Sequence, residues 1–337
     1  MRLPIRISTA LAAFLAVAPM AGVALAGDKE VPRQNTFGGS CVKCELSGRN
    51  LSGSKIIGAN FTGAALIGAN LREATFHGSV FSDADLSRAD MSDSAMNGAV
   101  FKNANLTGVR LRDAEIGGVF FGYANLTRAD LSDANAAGAV FVKAIMPHVL
   151  LRSADIRSGN FDQADLTRAT LTDANGTGAI FTRTKLQGAN FSSASLKASN
   201  FSKAEAMSAN FGDSELQSAT LAWGRFDKAS FRSADLRAAN MVGATFTGAD
   251  FRDADLNHAL IMGADFSGAR GMNQDQVDEA CADSKTKLPH GLVAGRGCSG
   301  ATTRVRVRVP HIEVVIPAPP APPAPPAPPA PRYLVED

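Results

Sequence analysis

Cysteine is the residue type in this 337-residue chain whose spacing most invites chemistry. Cys41-Val42-Lys43-Cys44 is a Cys-x-x-Cys, the spacing of redox dithiols, zinc half-sites and haem attachment. Each of these needs company that the chain withholds. Haem attachment needs a histidine where Glu45 stands, zinc needs two further ligands nearby, and a redox dithiol works from a thioredoxin-like setting. The pair is therefore expected to pin the amino-terminal end as a local disulfide or thiol pair, with a redox protein as the alternative. Cys281 and Cys298 form a second pair much further along. His77, His148, His258, His290 and His311 are scattered, with no Ser-His-Asp order, His-Glu-x-x-His or phosphate-cradling glycine loop among them. The single tryptophan, Trp223, stands with Arg225 at an outward site, as a contact point or a corner decoration. The chemistry of an enzyme is missing, and neither a cofactor nor a small-molecule substrate is expected.

What positions these residues is a five-residue rhythm. From 46 to 266 every position whose number ends in 1 or 6 carries Leu, Phe, Ile or Met, except Ala136, Gly176 and Ala206. Two residues earlier, after Cys44 and Arg49, the side chain is nearly always Ala, or else Ser, Gly, Val or Thr. A period of five suits neither a helix nor a strand, so it belongs to a repeat architecture. Call the large apolar position i. In an extended segment i and i−2 share a face, but the next large residue at i+3 would point the other way. The residues between i and the following i−2 must therefore turn a corner in every repeat.

The number of corners per turn shows in longer-range similarity. Phe61, Phe81, Phe101, Phe121, Phe141, Phe161, Phe181 and Phe201 recur every twenty residues, and further ladders run through Phe191, Phe211, Phe231 and Phe251 and through Phe226, Phe246 and Phe266. Segments beginning Leu86-Ser-Arg-Ala-Asp, Leu126-Thr-Arg-Ala-Asp and Leu166-Thr-Arg-Ala-Thr echo at forty. Forty is a whole number of twenties and not of fifteens, so the coil should have four sides. The Phe ladders are then core, not an aromatic binding strip. Ala136 and Gly176 fall on one face, where a repacked neighbour is expected rather than a cavity.

The motif Ala-(Asp/Asn)-Leu in Ala69-Asn70-Leu71, Ala104-Asn105-Leu106, Ala129-Asp130-Leu131 and Ala254-Asp255-Leu256 resembles that of the pentapeptide-repeat family. The resemblance implies an all-β fold, a right-handed quadrilateral parallel β-helix with about twenty residues per coil. It leaves function open, because one fold hosts unlike roles. With strand-like spacing of ~4.8 Å, roughly eleven coils make a rod on the order of 50 Å long. Such a rod holds the two cysteine pairs apart, so Cys281 is expected to pair with Cys298, and Cys41 with Cys44 if oxidised.

Five segments are expected. Residues 1–26 read as a signal peptide, with Arg2 and Arg6, an apolar core and a cleavage site after Ala24-Leu25-Ala26, so that the mature chain starts at Gly27. Residues 27–45 form an amino-terminal cap and 46–270 the β-helix. Residues 271–300 form a carboxyl cap, where Asn273 and Gln276 make a capping box, Met272 and Val277 stand at staple positions, and Lys285 and Lys287 suit the far end of the helix. Thr286 to Leu292 is similar to a segment that often closes exported members of the family. Residues 301–337 hold Arg304-Val-Arg306-Val-Arg308-Val309 and a Pro/Ala tract, a proline-rich tail acting as a stiff spacer of about 45 Å.

Basic and acidic side chains are nearly balanced, with a net charge of +2. A nucleic-acid binder would carry a basic stripe and a DNA-imitating rod the reverse, and totals show neither. Nucleic acid is therefore not an expected partner. The sequence points to an exported, non-enzymatic rod in the periplasm or outside the cell, not transmembrane after cleavage, contacting an unknown protein or envelope component. Its alternative is a DNA-mimicking topoisomerase-binding protein, as some members of that family are.

Overall fold

The computed structural model describes residues 39–294. Their backbone pairs in parallel with the chain twenty residues on: Ser40 with Asn60, Glu45 with Ala65, Asn50 with Asn70, Lys55 with Thr75, and onward to Asp250 with Arg270. One pairing per pentapeptide and twenty residues between partners make a four-sided coil. Regular pairing begins at Ser40, so Cys41 and Cys44 occupy inward positions of the first repeat, ahead of the start expected at residue 46.

Each side contributes a single paired residue, the outward i−1, and not a continuous strand. The corner takes up the rest. Residues i to i+3 form a turn closed by the i+3 amide donating to the carbonyl of i, as Ala64 does to Phe61 at 3.0 Å. The third residue of every such turn from Lys43 to Gly268 has a positive φ, and many are not glycine: Asp83 (57°), Arg88 (59°) and Tyr123 (62°). Side chains other than glycine rarely rest there. Stacking enforces it, because that residue's amide must reach the next coil, as Gly63 reaches the Ser82 carbonyl at 2.9 Å.

The backbone amides of one pentapeptide can be followed individually. Phe61 donates forward to Val80 at 2.7 Å, Ala65 donates back to Cys44 at 2.9 Å, and Gly63 and Ala64 are bonded as above. The amide of i+1 is left over. It donates to the side chain of i−1, as Thr62 does to Asn60 Oδ1 at 3.0 Å and Thr127 to Asn125 Oδ1 at 3.0 Å. Asn or Asp at i−1 thus completes the set of donors, the corner bond that short polar side chains favour.

Inside, the i and i−2 side chains fill the coil. Phe61 to Phe201 stack face to face with centroids 4.7 to 5.1 Å apart. The second ladder joins the first edge to face, with Phe181 and Phe191 at 5.6 Å and 85°. A polar i−2 residue survives by bonding the turn, as Ser199 Oγ does to the Leu196 carbonyl at 2.6 Å. At Gly176 the gap is closed by its neighbours. A methyl group added there would meet Leu196 Cδ2 at 2.9 Å and Ile156 Cδ1 at 3.5 Å, the repacking expected from the sequence.

The carboxyl end closes with a short helix, α1, Gln274–Glu279, capped by Asn273 and carrying the reciprocal Gln276 bond. Val277 is fully buried, and Ala280 and Cys281 nearly so. Gln276 does more than box the helix: its Nε2 donates to the carbonyls of Phe251 at 3.1 Å and Ala254 at 2.7 Å, which satisfies acceptors of the last coil. One expectation is corrected. The helix stops at Glu279, so Lys285 and Lys287 lie beyond its last turn, and Lys287 instead pairs with Asp265 at 2.8 Å. Pairing slips from twenty residues to Leu260 with Cys281 and Asp265 with Lys287 as the chain covers the open coil.

Candidate functional site

Function on a closed rod must be carried by what points outward. Residues stacked by the twenty-residue register form outward rows, and the corners sort charge into them. One corner carries Glu73, Asp93, Asp113, Asp133, Asp173, Asp213 and Asp253, all exposed. A different corner carries Arg88, Arg128, His148, Arg168 and Lys228. Near-balanced totals hide this sorting, since each row draws one residue per coil. Arg72, bordering the acidic row, neutralises part of it by reaching Asp93 at 2.7 Å.

A repeated Asp-x-Arg pair gives the shortest ion pairs among the described residues. Asp155, Asp235 and Asp250 each accept from the arginine two residues on, with Nη2 to Oδ2 at 2.5 Å in all three. That guanidinium holds each carboxyl below the usual aspartate range, against the opposing effect of partial burial. Regular carboxylates here are architecture, because the same Oδ1 atoms also accept the i+1 amide. Among the described residues no cluster of His, Cys, Asp and Glu could hold a metal ion, and no helix is long and apolar enough to cross a membrane.

Cys41 and Cys44 form a disulfide across the first corner, with Cα atoms 5.2 Å apart, and both are partly buried against the core. Cys281 is buried under the last coil. Its expected partner Cys298 lies outside the described residues, as do the cleavage site at Ala26 and Gly27 and the arginines Arg304, Arg306 and Arg308. The eight phenylalanines from Phe61 to Phe201 are buried in the core, at most 2% exposed. Trp223 sits at a corner and is 63% exposed, its ring lying over Gly243 one coil on, where an added methyl would meet Cε3 at 2.6 Å.

The row that sequence reading passed over lies on the outside of the Phe ladder. Its i−1 residues run Ser40, Asn60, Val80, Val100, Phe120, Val140, Asn160, Ile180, Asn200, Thr220, Asn240 and Leu260, without a single charge. The corresponding rows of the other faces include Asp90 and Arg110, Lys185 and Glu205, and Glu115 and Asp235. The twenty-residue interval that aligns the phenylalanines also aligns these outward residues.

The chain matches the family profile described as pentapeptide repeats, in 8 copies over residues 44–83, 84–122, 121–158, 160–197, 185–222 and 229–268. No curated protein sequence matches it. Among solved structures it is similar to HetL, a pentapeptide repeat protein involved in heterocyst differentiation regulation from the cyanobacterium Nostoc sp. Strain PCC 7120. The two are 29% identical, with 62% of this chain and 88% of that one covered, at a TM-score of 0.33. It is also similar to QnrB1, a plasmid-mediated fluoroquinolone resistance protein, at 17% identity, covering 53% and 91% of the two chains with a TM-score of 0.26. A pentapeptide repeat protein from the Arabidopsis thaliana thylakoid lumen is 20% identical, with 44% and 68% covered and a TM-score of 0.13. The profile spans well over half of the sequence, and the backbone closes one corner every five residues throughout that span, so this protein belongs to the pentapeptide-repeat family.

Proposed function

We propose that the chain is an exported, right-handed β-helical rod that acts without catalysis, binding or spacing components of the bacterial periplasm and cell envelope. One observation carries the reading: a continuous, filled core presents four long outward faces of different character, a surface suited to contact along a length. The leader at residues 1–26 supplies the compartment. The Cys41–Cys44 disulfide is consistent with an oxidising one. The basic segment with Arg304, Arg306 and Arg308 and the proline-rich tract, an arm of the sequence outside the described residues, supply a further contact for the partner.

Mild cross-linking in living cells, with the full precursor beside a form truncated after Gly300, tests this after separation into cytoplasmic, periplasmic and membrane fractions. The expected result is periplasmic protein that brings down envelope components, and more of them with the arm present. Cytoplasmic protein associated with a topoisomerase would replace this reading with the DNA-imitating one. The exposed acidic corner from Glu73 to Asp253 is the observation favouring that second reading.

A further inference from the structure

We infer that the uncharged face outside the phenylalanine ladder is a docking surface for a second copy of this chain, packed antiparallel about a two-fold axis between Val100 and Phe120. The inference goes beyond the envelope reading and does not depend on the compartment. It starts from a local loss. Where Asn or Asp stands at i−1, its side chain accepts the i+1 amide, as Asn60 accepts from Thr62 and Asn160 from Asp162, both at 3.0 Å. Val80, Val100, Phe120 and Val140 cannot make that bond. Four consecutive coils forgo it on one face, and their apolar side chains are left part-exposed.

The face is also flat and open. The corner beside these residues is a row of glycines, Gly78, Gly98, Gly118 and Gly138, where an added Cβ would meet nothing within 4 Å. The Phe120 ring lies down across Gly122, where an added Cβ would run into it, so the largest side chain does not stand out from the surface. On this border nothing projects to hold another flat body away, while the opposite border carries exposed Lys102 and Tyr123, with Lys143 over the Tyr123 ring at 5.4 Å.

Three properties select a second copy as that body. The row itself carries no charge, so its own side chains meet without repulsion in either direction. Coils recur at about 4.8 Å, and only a surface with the same pitch meshes with them coil by coil. A two-fold axis between Val100 and Phe120 sets Val100 against Phe120 and Val80 against Val140, so one apolar patch covers its equal, as an isologous contact requires. The rows then overlap from Ser40 to Ile180, about 35 Å at the coil pitch. With a face about 10 Å wide this is about 350 Å² per copy, below the range of standard stable interfaces, so the dimer is weak and transient.

Sedimentation velocity of the full chain from about 1 to 300 µM tests the contact. Wild type is expected to pass from monomer to dimer across that range, and the double variant V100N/F120N to remain monomeric. Asn already occupies this row at Asn160, Asn200 and Asn240, and it restores the corner bond, so the variant keeps its fold. Gly118→Arg is the independent check. Arginine holds the same positive φ at Arg88 and Arg128, and a Cβ added at Gly118 meets nothing of its own rod within 4 Å, so the side chain has room to block approach. In wild type, Val80→Cys with Val140→Cys is expected to yield a disulfide between copies, while either alone does not. Wild type that stays monomeric at 300 µM, or variants that dimerise as well as it does, overturns the inference.

Discussion

Truncating Phe121 to alanine tests whether the coil is as closed as its geometry indicates. Phe121 is 0% exposed and stacks between Phe101 at 5.1 Å and Phe141 at 5.0 Å. Removing the ring loses roughly 100 Å² or more of buried apolar area, about 3 kcal/mol at ~25 cal/mol per Å². The two stacking contacts and the unfilled space add to this. Backbone pairing holds the coils above and below at fixed pitch and limits collapse into the gap. A loss of about 4 kcal/mol is therefore expected, within the 3–5 kcal/mol range for buried Phe to Ala. Phe61→Ala should cost less, because Phe61 stacks on a phenylalanine on one side only, Phe81 at 4.8 Å. In a solenoid, stability is a sum over neighbouring coils, so a central lesion also uncouples the halves. Urea unfolding should be followed by circular dichroism for the whole rod and by Trp223 fluorescence, which reports five coils away. The two transitions are expected to separate in Phe121→Ala and to lie closer in wild type. A loss below about 1.5 kcal/mol with coincident transitions would refute the reasoning, since neighbouring side chains would then have filled the space.

Further outcomes follow from the corners and the caps. Asn125 accepts from the Thr127 amide at 3.0 Å and from its hydroxyl at 2.6 Å, so Asn125→Ala should destabilise by about 1 kcal/mol in urea titration, while Asn125→Asp, which keeps the acceptor, should not. Asp250 is held below the usual range chiefly by the Arg252 guanidinium. Its contribution is present above the unfolded value near 3.9 and lost as pH falls through the lowered folded one. Denaturation midpoints should thus drop more steeply below about pH 4 in wild type than in Asp250→Asn, which keeps the corner acceptor. Reduction of Cys41–Cys44 opens a loop of only a few residues, worth at most about 2 kcal/mol. Hydrogen exchange should accelerate in the first coil and hold elsewhere; uniform acceleration would give that disulfide a global role.

The chain itself determined the coil. A large apolar residue every fifth position cannot be reconciled with face alternation unless a corner intervenes, and the recurrence of phenylalanine at twenty set the number of corners. The capping box at Asn273 and Gln276 was legible because its partners lie three residues apart. Local rules also accounted for Asn and Asp at i−1, whose targets are two residues away. Tertiary structure decided what depends on neighbours one coil distant. Gln276 reaches the carbonyls of Phe251 and Ala254, Lys287 leaves the helix for Asp265, and Leu196 closes over Gly176. It also turned balanced totals into an acidic corner, a basic corner and a face without charge. The physical reason is that adjacency on the surface runs along the rod axis, in steps of twenty residues, whereas local patterning runs along the chain in steps of five. A side chain's surface neighbours are therefore distant in sequence, and Val80, Val100, Phe120 and Val140 become one patch only when the coils are stacked.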